Sequence, residues 1–350
     1  MKQALLWLAR AVGLFRLSRW LTRDRLRILC YHGAWLGGEQ PNPFNFLYMQ
    51  PKRFAHRLQL IEKLGLPVLP LGLALERMRG HGLPPCAVAI TIDDGWFGTY
   101  KHMVPLLASR GWPATLYLTT HHVAHETPVF GVAMQHVLLA APQRRLAAKI
   151  LPGHGDDRRA FDLDVAPQRT TALELLDECA QALPDAALRE DLLWKIADEL
   201  GYDWKRARDE RWFHLINPDE ARDSVRQGID LQLHTHRHRL LRHGQSCIGQ
   251  ELADNRAWLQ TMGSCSTQHF CYPSGRWQPT DFEALRQAGV VSATTTDNGL
   301  CVASSELLAL PRILDGDRLS DIELEAELCG LIDLKRQLAS RLNRKHSQTF

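Results

Sequence analysis

Short apolar runs recur along this chain, each about the length of one buried strand, and helical patterns lie between them. The runs are Leu26–Tyr31, Cys86–Ile92, Ala114–Thr119, Ile229–Leu233, His269–Tyr272 and Val290–Thr294. Near-continuous apolar strands are what a parallel sheet covered on both faces requires. Between them, Pro51–Leu64 carries Phe54, Leu58, Ile61 and Leu64 on one stripe and stops at Gly65. Tyr100–Arg110 ends at Gly111, with Pro113 just beyond, and Asp281–Ala288 follows Thr280 and ends at Gly289. Strand and helix alternate, so the expected class is α/β.

One stretch breaks the alternation. From Thr120 to Arg226 strand character is low, while Thr170–Leu183 and Asp185–Leu200 read as helices and Gly153–Asp157 as a loop. Glu126–Asn217 is therefore expected to be a mostly helical insertion, either a lid or an extra packing layer. The expected organisation is an N-terminal helix over 1–25, an α/β domain over 26–125 and 218–320, the insertion over 126–217, and a C-terminal helix or tail over 321–350.

Composition narrows this little. The chain has 350 residues, 45% apolar, with 23% charged and a net charge of +3. That supports one large domain with an insertion and argues against a polyanion-binding surface, so nucleic acid is not an expected partner. Eight cysteines without a CxxC pair do not read as a disulfide framework; free thiols in a reducing compartment are the expectation.

The first 23 residues change the picture more. Leu5, Leu8, Val12, Leu14, Phe15, Leu17 and Leu21 alternate with Arg10, Arg16, Arg19 and Arg23. The apolar run is too short and too basic for a clear export signal or a membrane span. It reads as a basic amphipathic helix that either lies on a membrane surface or packs on the domain. The expected location is cytoplasmic, with membrane association and secretion left open.

The chemistry sits where strands end. In α/β barrels the loops after the strands carry function. Here CAVAITI runs into Asp93-Asp94-Gly95, IDLQL into His234-Thr235-His236-Arg237-His238, LRILCY into His32-Gly33, and HFCY into Pro273-Ser274-Gly275. Two adjacent carboxylates after a buried strand repel one another, and a cation relieves the repulsion. Neighbouring residues point different ways, so one can ligate a metal while the other faces a water. Taken alone, a DDG triplet is equally a solvated turn, and a His-rich segment is equally a surface loop. Together, Asp94, His234 and His238 make a one-carboxylate, two-imidazole set with open positions.

TIDDG (Thr91–Gly95) and HTHRH (His234–His238) resemble the first two motifs of the NodB-type polysaccharide deacetylases, the family-four carbohydrate esterases. FCYPSG (Phe270–Gly275) resembles the third, and TTTDNGL (Thr294–Leu300) and LPRI (Leu310–Ile313) resemble segments that follow it. The resemblance covers about residues 26–125 and 219–315. It implies a distorted (β/α)7 barrel. It also implies a hydrolase removing N-acetyl groups from a glycan, with Asp93 as base and Asp94, His234 and His238 on one divalent ion. Zinc is the expected ion, with cobalt, nickel or iron as alternatives. Thr235 would brace the histidine loop.

Two positions depart from the family pattern. Cys271 stands where the third motif has an Arg that orients the base, and Arg312 is the candidate replacement. No Leu-x-His follows Leu310, but LCYH (Leu29–His32) closes the first strand. This resembles the permuted arrangement of the poly-N-acetylglucosamine deacetylases and makes His32 the candidate acid, a core histidine being the alternative. A backbone N–H near Tyr272 is expected to hold the oxyanion. Tyr272, Pro273, Gly275 and Trp96 are the candidate substrate contacts, and Phe97, Trp112 and Trp277 are further aromatics that stack on sugars or belong to the core. The expected partner is an N-acetylated glycan or a lipid-linked sugar, with residues 1–23 as a peripheral membrane contact. Another amide, an O-acetyl ester, or glycan binding without catalysis are the alternatives.

Overall fold

The computed structural model describes residues 2–38, 44, 46–238, 247–263 and 266–347. Seven parallel strands close into a barrel: β1 (Arg27–Tyr31), β2 (Val88–Asp94), β3 (Ala114–Leu118), β4 (Ile229–Leu233), β5 (His269–Cys271), β6 (Ser292–Asn298) and β7 (Leu310–Leu314). Each strand pairs with its neighbours in sequence, and β1 closes the ring between β2 and β7. Every residue of β1, β2, β3 and β5 is buried, which is why those runs are apolar without alternation.

The sequence pattern shows six of these strands. The seventh, β7, contains Pro311, which has no N–H for the ladder and lowers the strand signal. The sixth also lies later than its apolar run, continuing to Asn298 through polar residues that leave the core at its end.

Helices outside the barrel include α1 (Lys2–Ala11), α2 (Leu14–Leu21), α3 (Pro51–Lys63), α4 (Leu71–Arg79), α5 (Cys247–Thr261), α6 (Asp321–Leu328) and α7 (Leu331–Ser347). Leu71, Ala74, Leu75 and Met78 of α4 join Ile28, Ala89, Tyr117, Cys271 and Leu310 in one apolar cluster. At roughly 1.5–3 kcal/mol per fully buried large apolar side chain, this cluster is a main source of barrel stability.

The chain divides into two compact units. One comprises residues 1–34, 44–120 and 218–350 and contains the whole barrel; the other comprises 35–43 and 121–217. The second unit is mostly helical, with helices Phe130–Ala140, Ala166–Ala182 and Ala186–Glu199 and a short antiparallel pair, Arg145–Ala147 with Ala160–Asp162. Its own core is aromatic, with Trp204 stacked on Phe213 at 5.7 Å and Trp35 packed at 5.3 Å from Trp212.

Candidate active site

Strand register brings the polar residues to one rim. β1 and β2 pair Tyr31 with Ile92, so the next residues, His32 just past β1 and Asp93 still within β2, come side by side. The His32 Nε2 lies 3.8 Å from Asp93 Oδ2. β2 pairs with β3 through Asp94 and Leu118, and β3 pairs with β4 through Leu118 and Leu233, which places His234 beyond Asp94.

Asp94 Oδ1 stands 3.1 Å from His234 Nε2 and 3.4 Å from His238 Nε2. Asp94, His234 and His238 thus converge as a candidate metal site. His234 and Asp94 are buried, while His238 sits at the exposed lip. The Nδ1 of His234 lies 2.8 Å from the Cys271 carbonyl, which has only a lone pair to offer. Nδ1 must therefore carry the proton when the ring is neutral, leaving the Nε2 lone pair aimed at a carboxylate. Two acceptors facing each other in a buried site fit a cation between them, as carbonyl-braced histidine ligands commonly do. Without a cation between them, a doubly protonated His234 donates to Asp94 instead; burial pushes the Asp94 carboxyl up, but that hydrogen bond and the charges of His238 and His32 hold it far below the usual carboxylate range.

Asp93 has a different environment. Arg312, fully buried on β7, donates from one terminal nitrogen to Asp93 Oδ1 and from the other to Oδ2, both at 2.7 Å. It also donates to the Thr295 carbonyl at 2.8 Å and to Thr91 Oγ1 at 3.1 Å. The fork and the carboxylate match in shape, which makes this a strong charge-assisted pair. Burial alone would raise the Asp93 pKa, but Arg312 outweighs it and lowers it to about 2. The thiols of Cys271 and Cys30 lie 3.4 and 3.6 Å from Asp93 Oδ2. Cys271 at the third-motif position is small enough to share this space with the Arg312 guanidinium, whose Nη2 is 3.3 Å from its sulfur.

The backbone is strained here. Asp94, Thr235, His238 and Ser274 all have positive φ, 70°, 63°, 52° and 57°. For the β-branched Thr235 such a conformation is unfavourable and persists only when its surroundings impose it. Two glycines permit close approach. A Cβ on Gly98 would stand 2.0 Å from the Ala34 carbonyl oxygen, and one on Gly275 would stand 2.0 Å from Thr296 Oγ1. Just after Gly98, Thr99–Met103 form a π-helical turn, and Thr99 Oγ1 donates to the His32 carbonyl at 2.7 Å.

Several sequence expectations change. Trp96 is buried and its Nε1 donates to Asp94 Oδ2 at 2.8 Å. It therefore orients a candidate metal ligand and offers no face to a sugar. Tyr272 is fully buried, with its hydroxyl on the Leu308 carbonyl, so it is a core residue. Its N–H is not free for an oxyanion, since it donates to the Thr294 carbonyl at 3.2 Å. Pro273 is buried, while Gly275 is half-buried and holds a turn against Thr296. Among the other aromatics, Trp277 is half-buried, stacks on Phe282 at 5.6 Å and donates to Asp297. Trp112 lies under the Arg110 guanidinium and Phe97 under the Lys101 ammonium.

Thr235 is fully buried and its Oγ1 has no hydrogen-bond partner among the described residues, so its hydroxyl does not brace the loop. That work falls to residues the sequence reading did not single out. Asn255 on α5 accepts from the His234 N–H at 2.9 Å and donates to the Leu118 carbonyl and Thr120 Oγ1. Glu251, one turn earlier, accepts from the N–H and the guanidinium of Arg237. Arg237 is therefore a loop brace. His236 turns away from the triad onto Thr120, 2.8 Å from its hydroxyl. The spacing of Glu251 and Asn255 along α5 is the one sequence signal that could have found them.

Comparison with known proteins bears on the domain and the fold. The polysaccharide deacetylase family matches residues 81–149 and 190–293. No curated protein matches the chain. Among solved structures, IcaB from Ammonifex degensii is similar over 87% of this chain and 97% of its own, at 18% identity and a TM-score of 0.53. The Streptococcus pyogenes deacetylase PplD, solved in complex with acetate, is similar over 87% of this chain and 98% of its own, at 17% identity and 0.55. BC0361, a polysaccharide deacetylase from Bacillus cereus, is similar over 87% and 69%, at 13% identity and 0.52. At these identities the structures speak for the fold, and the sequence match speaks for the family. This chain carries a polysaccharide deacetylase domain and is a NodB-type enzyme of that kind.

Proposed function

We propose that this enzyme hydrolyses the N-acetyl amide of a glycan, releasing acetate and a free amine, with a divalent ion, zinc, held by Asp94, His234 and His238. The observation that carries the reading is the pairing of roles on adjacent residues. Asp94 converges with two imidazoles, while Asp93 is set apart by Arg312. When bound, the ion would supply Lewis acidity to the attacking water and the acetyl carbonyl.

The chain's own residues do the rest. Asp93 stays ionised through the neutral range, because Arg312 lowers its pKa to about 2. Arg312 takes one lone pair on each Asp93 oxygen, and the Cys271 and Cys30 thiols also face Oδ2, which leaves the second lone pair of Oδ1 to orient the water and accept its proton. His32 sits at the same rim, half-buried and 3.8 Å from Asp93, and is the group we assign to protonate the departing amine. Trp96 and Asn255 hold the ligand set in place.

The finer substrate class we propose is a glycan presented at a membrane surface, with lipid-linked N-acetylated sugars as first candidates, in a cytoplasmic, membrane-associated setting. The basic N-terminal helices support it, and so do the six cysteines described as free and buried. The test is acetate release from N-acetylated and O-acetylated glycans, before and after chelation. We expect N-acetyl turnover that disappears on chelation and returns with zinc. Turnover of the O-acetyl ester alone, or activity indifferent to chelation, would overturn the reading.

A further inference from the structure

The N-terminal helices are anchored on one side and bare on the other. Gly13, at φ 82°, breaks α1 from α2. Leu6 and Phe15 point inward and pack with Ile322, Ala326 and Cys329 around α6. Ser18 and Thr22 face the same way, and Thr22 Oγ1 donates to the Cys329 carbonyl. Packing on the domain is thus real, and it uses a narrow stripe.

The opposite face is apolar and exposed. Leu5, Trp7, Leu8, Val12, Leu14, Leu17, Trp20 and Leu21 are 42–65% exposed. These eight account for most of the exposed large apolar side chains among the described residues. Single exposed apolar residues are ordinary, but a contiguous patch beyond roughly a few hundred Å² marks an interaction site. No helix among the described residues is long and apolar enough to cross a membrane.

Charge decides what fits this face. Residues 1–23 contain Lys2, Arg10, Arg16, Arg19 and Arg23 and no acid. Arg10, which also pairs with Glu325 at 3.1 Å, lies over Trp7 at 5.3 Å, and Arg23 lies over Trp20 at 4.8 Å, so cations and indoles lie together along these helices. α7, which packs beside α2, adds Lys335 and Arg336, the latter paired with Glu327, against a single acid of its own, Asp333. Asp333 itself is buried and paired with Arg25. A second copy docking by the same face would oppose cation to cation. An anionic bilayer matches both the charge and the mixture of leucine, tryptophan and arginine.

We propose that α1 and α2 form a preformed docking surface for an anionic lipid bilayer, seating the leucines and tryptophans at the headgroup–acyl boundary with the arginines among the phosphates. The surface lies on the barrel unit itself, so docking holds the catalytic unit at the bilayer without a spanning helix. Vesicle binding is read without turnover, so its failure would leave the deacetylase reading untouched.

The experiment is co-sedimentation of the full chain with vesicles of phosphatidylcholine mixed with phosphatidylglycerol, and with phosphatidylcholine alone. We expect binding to the mixed vesicles that weakens as salt is raised, and much weaker binding to the neutral ones. Leu8→Glu with Leu17→Glu should weaken partitioning by roughly tenfold or more for each residue. Thermal unfolding of that variant should match the parent, because both side chains are exposed. Arg16→Glu should leave the apolar face intact, weaken binding and flatten its salt dependence. No pelleting with mixed vesicles, equal binding to neutral ones, or unchanged binding of the Leu8/Leu17 variant would overturn the proposal. So would a dimer in sedimentation velocity that this variant splits while vesicles stay unbound.

Discussion

Arg312 holds Asp93 by both carboxylate oxygens, 2.7 Å to each, although 219 positions separate the two residues in the chain. Arg312 is fully buried and Asp93 is 3% exposed, so each is costly to bury without the other. Arg312→Ala should destabilise the fold by about 3–5 kcal/mol in urea unfolding, the usual cost of stranding a buried charge. Arg312→Lys keeps the charge and loses the fork, and should fold while turning over more slowly. The sign of the pH effect follows from the lowered pKa. In the parent, Asp93 contributes stability above its unfolded value of 3.8, and that contribution is lost as pH falls through about 2. With the fork gone, burial pushes the carboxyl up, so the acid limb of kcat in Arg312→Lys should move to higher pH. An unchanged limb would show that Asp93 does not govern it.

Asp93 and Asp94 are neighbours with separable jobs. Asp94→Ala or His234→Ala should abolish stoichiometric zinc binding in calorimetry and activity with it. Asp93→Asn should bind zinc normally and lose turnover by about 10²–10⁴-fold, the usual scale for a general base. Full activity in Asp93→Asn would remove it from the chemistry.

Trp96 and Asn255 act through the ligands they hold. Trp96→Phe deletes the donor to Asp94 Oδ2 while keeping most of the ring's packing. Asn255→Ala strands the His234 N–H. Each should weaken zinc affinity by about 10–100-fold, the range for groups that orient metal ligands. Zinc titration of the purified variants reads this directly, and unchanged affinity would reduce both residues to packing.

His32 can be tested through the leaving group. An amine must be protonated to depart, whereas a nitrophenolate leaves without help. His32→Gln should lose about 10²–10⁴-fold on an N-acetyl amide and far less on a nitrophenyl acetate. Equal losses on both would assign His32 to structure rather than proton transfer.

The alternation of apolar runs and helices determined the α/β class, because a strand buried on both faces must be apolar along its length. The DDG and HTHRH segments stood out for a related reason: charge placed at the end of such a strand is expensive unless it has a task. Tertiary structure alone decided the partners. β7 was hidden by Pro311, and only barrel closure between β1 and β7 carries Arg312 to Asp93. Trp96 and Tyr272 looked like sugar platforms, yet periodicity cannot tell a buried ring from an exposed one at a strand end. The same limit applied to the N-terminus, where amphipathicity left packing and membrane contact as rivals. In the folded chain Leu6 and Phe15 pack inward while Trp7 and Trp20 stay bare. Local pattern reports which residues avoid water; register and closure, set by contacts hundreds of positions apart, report what they meet instead.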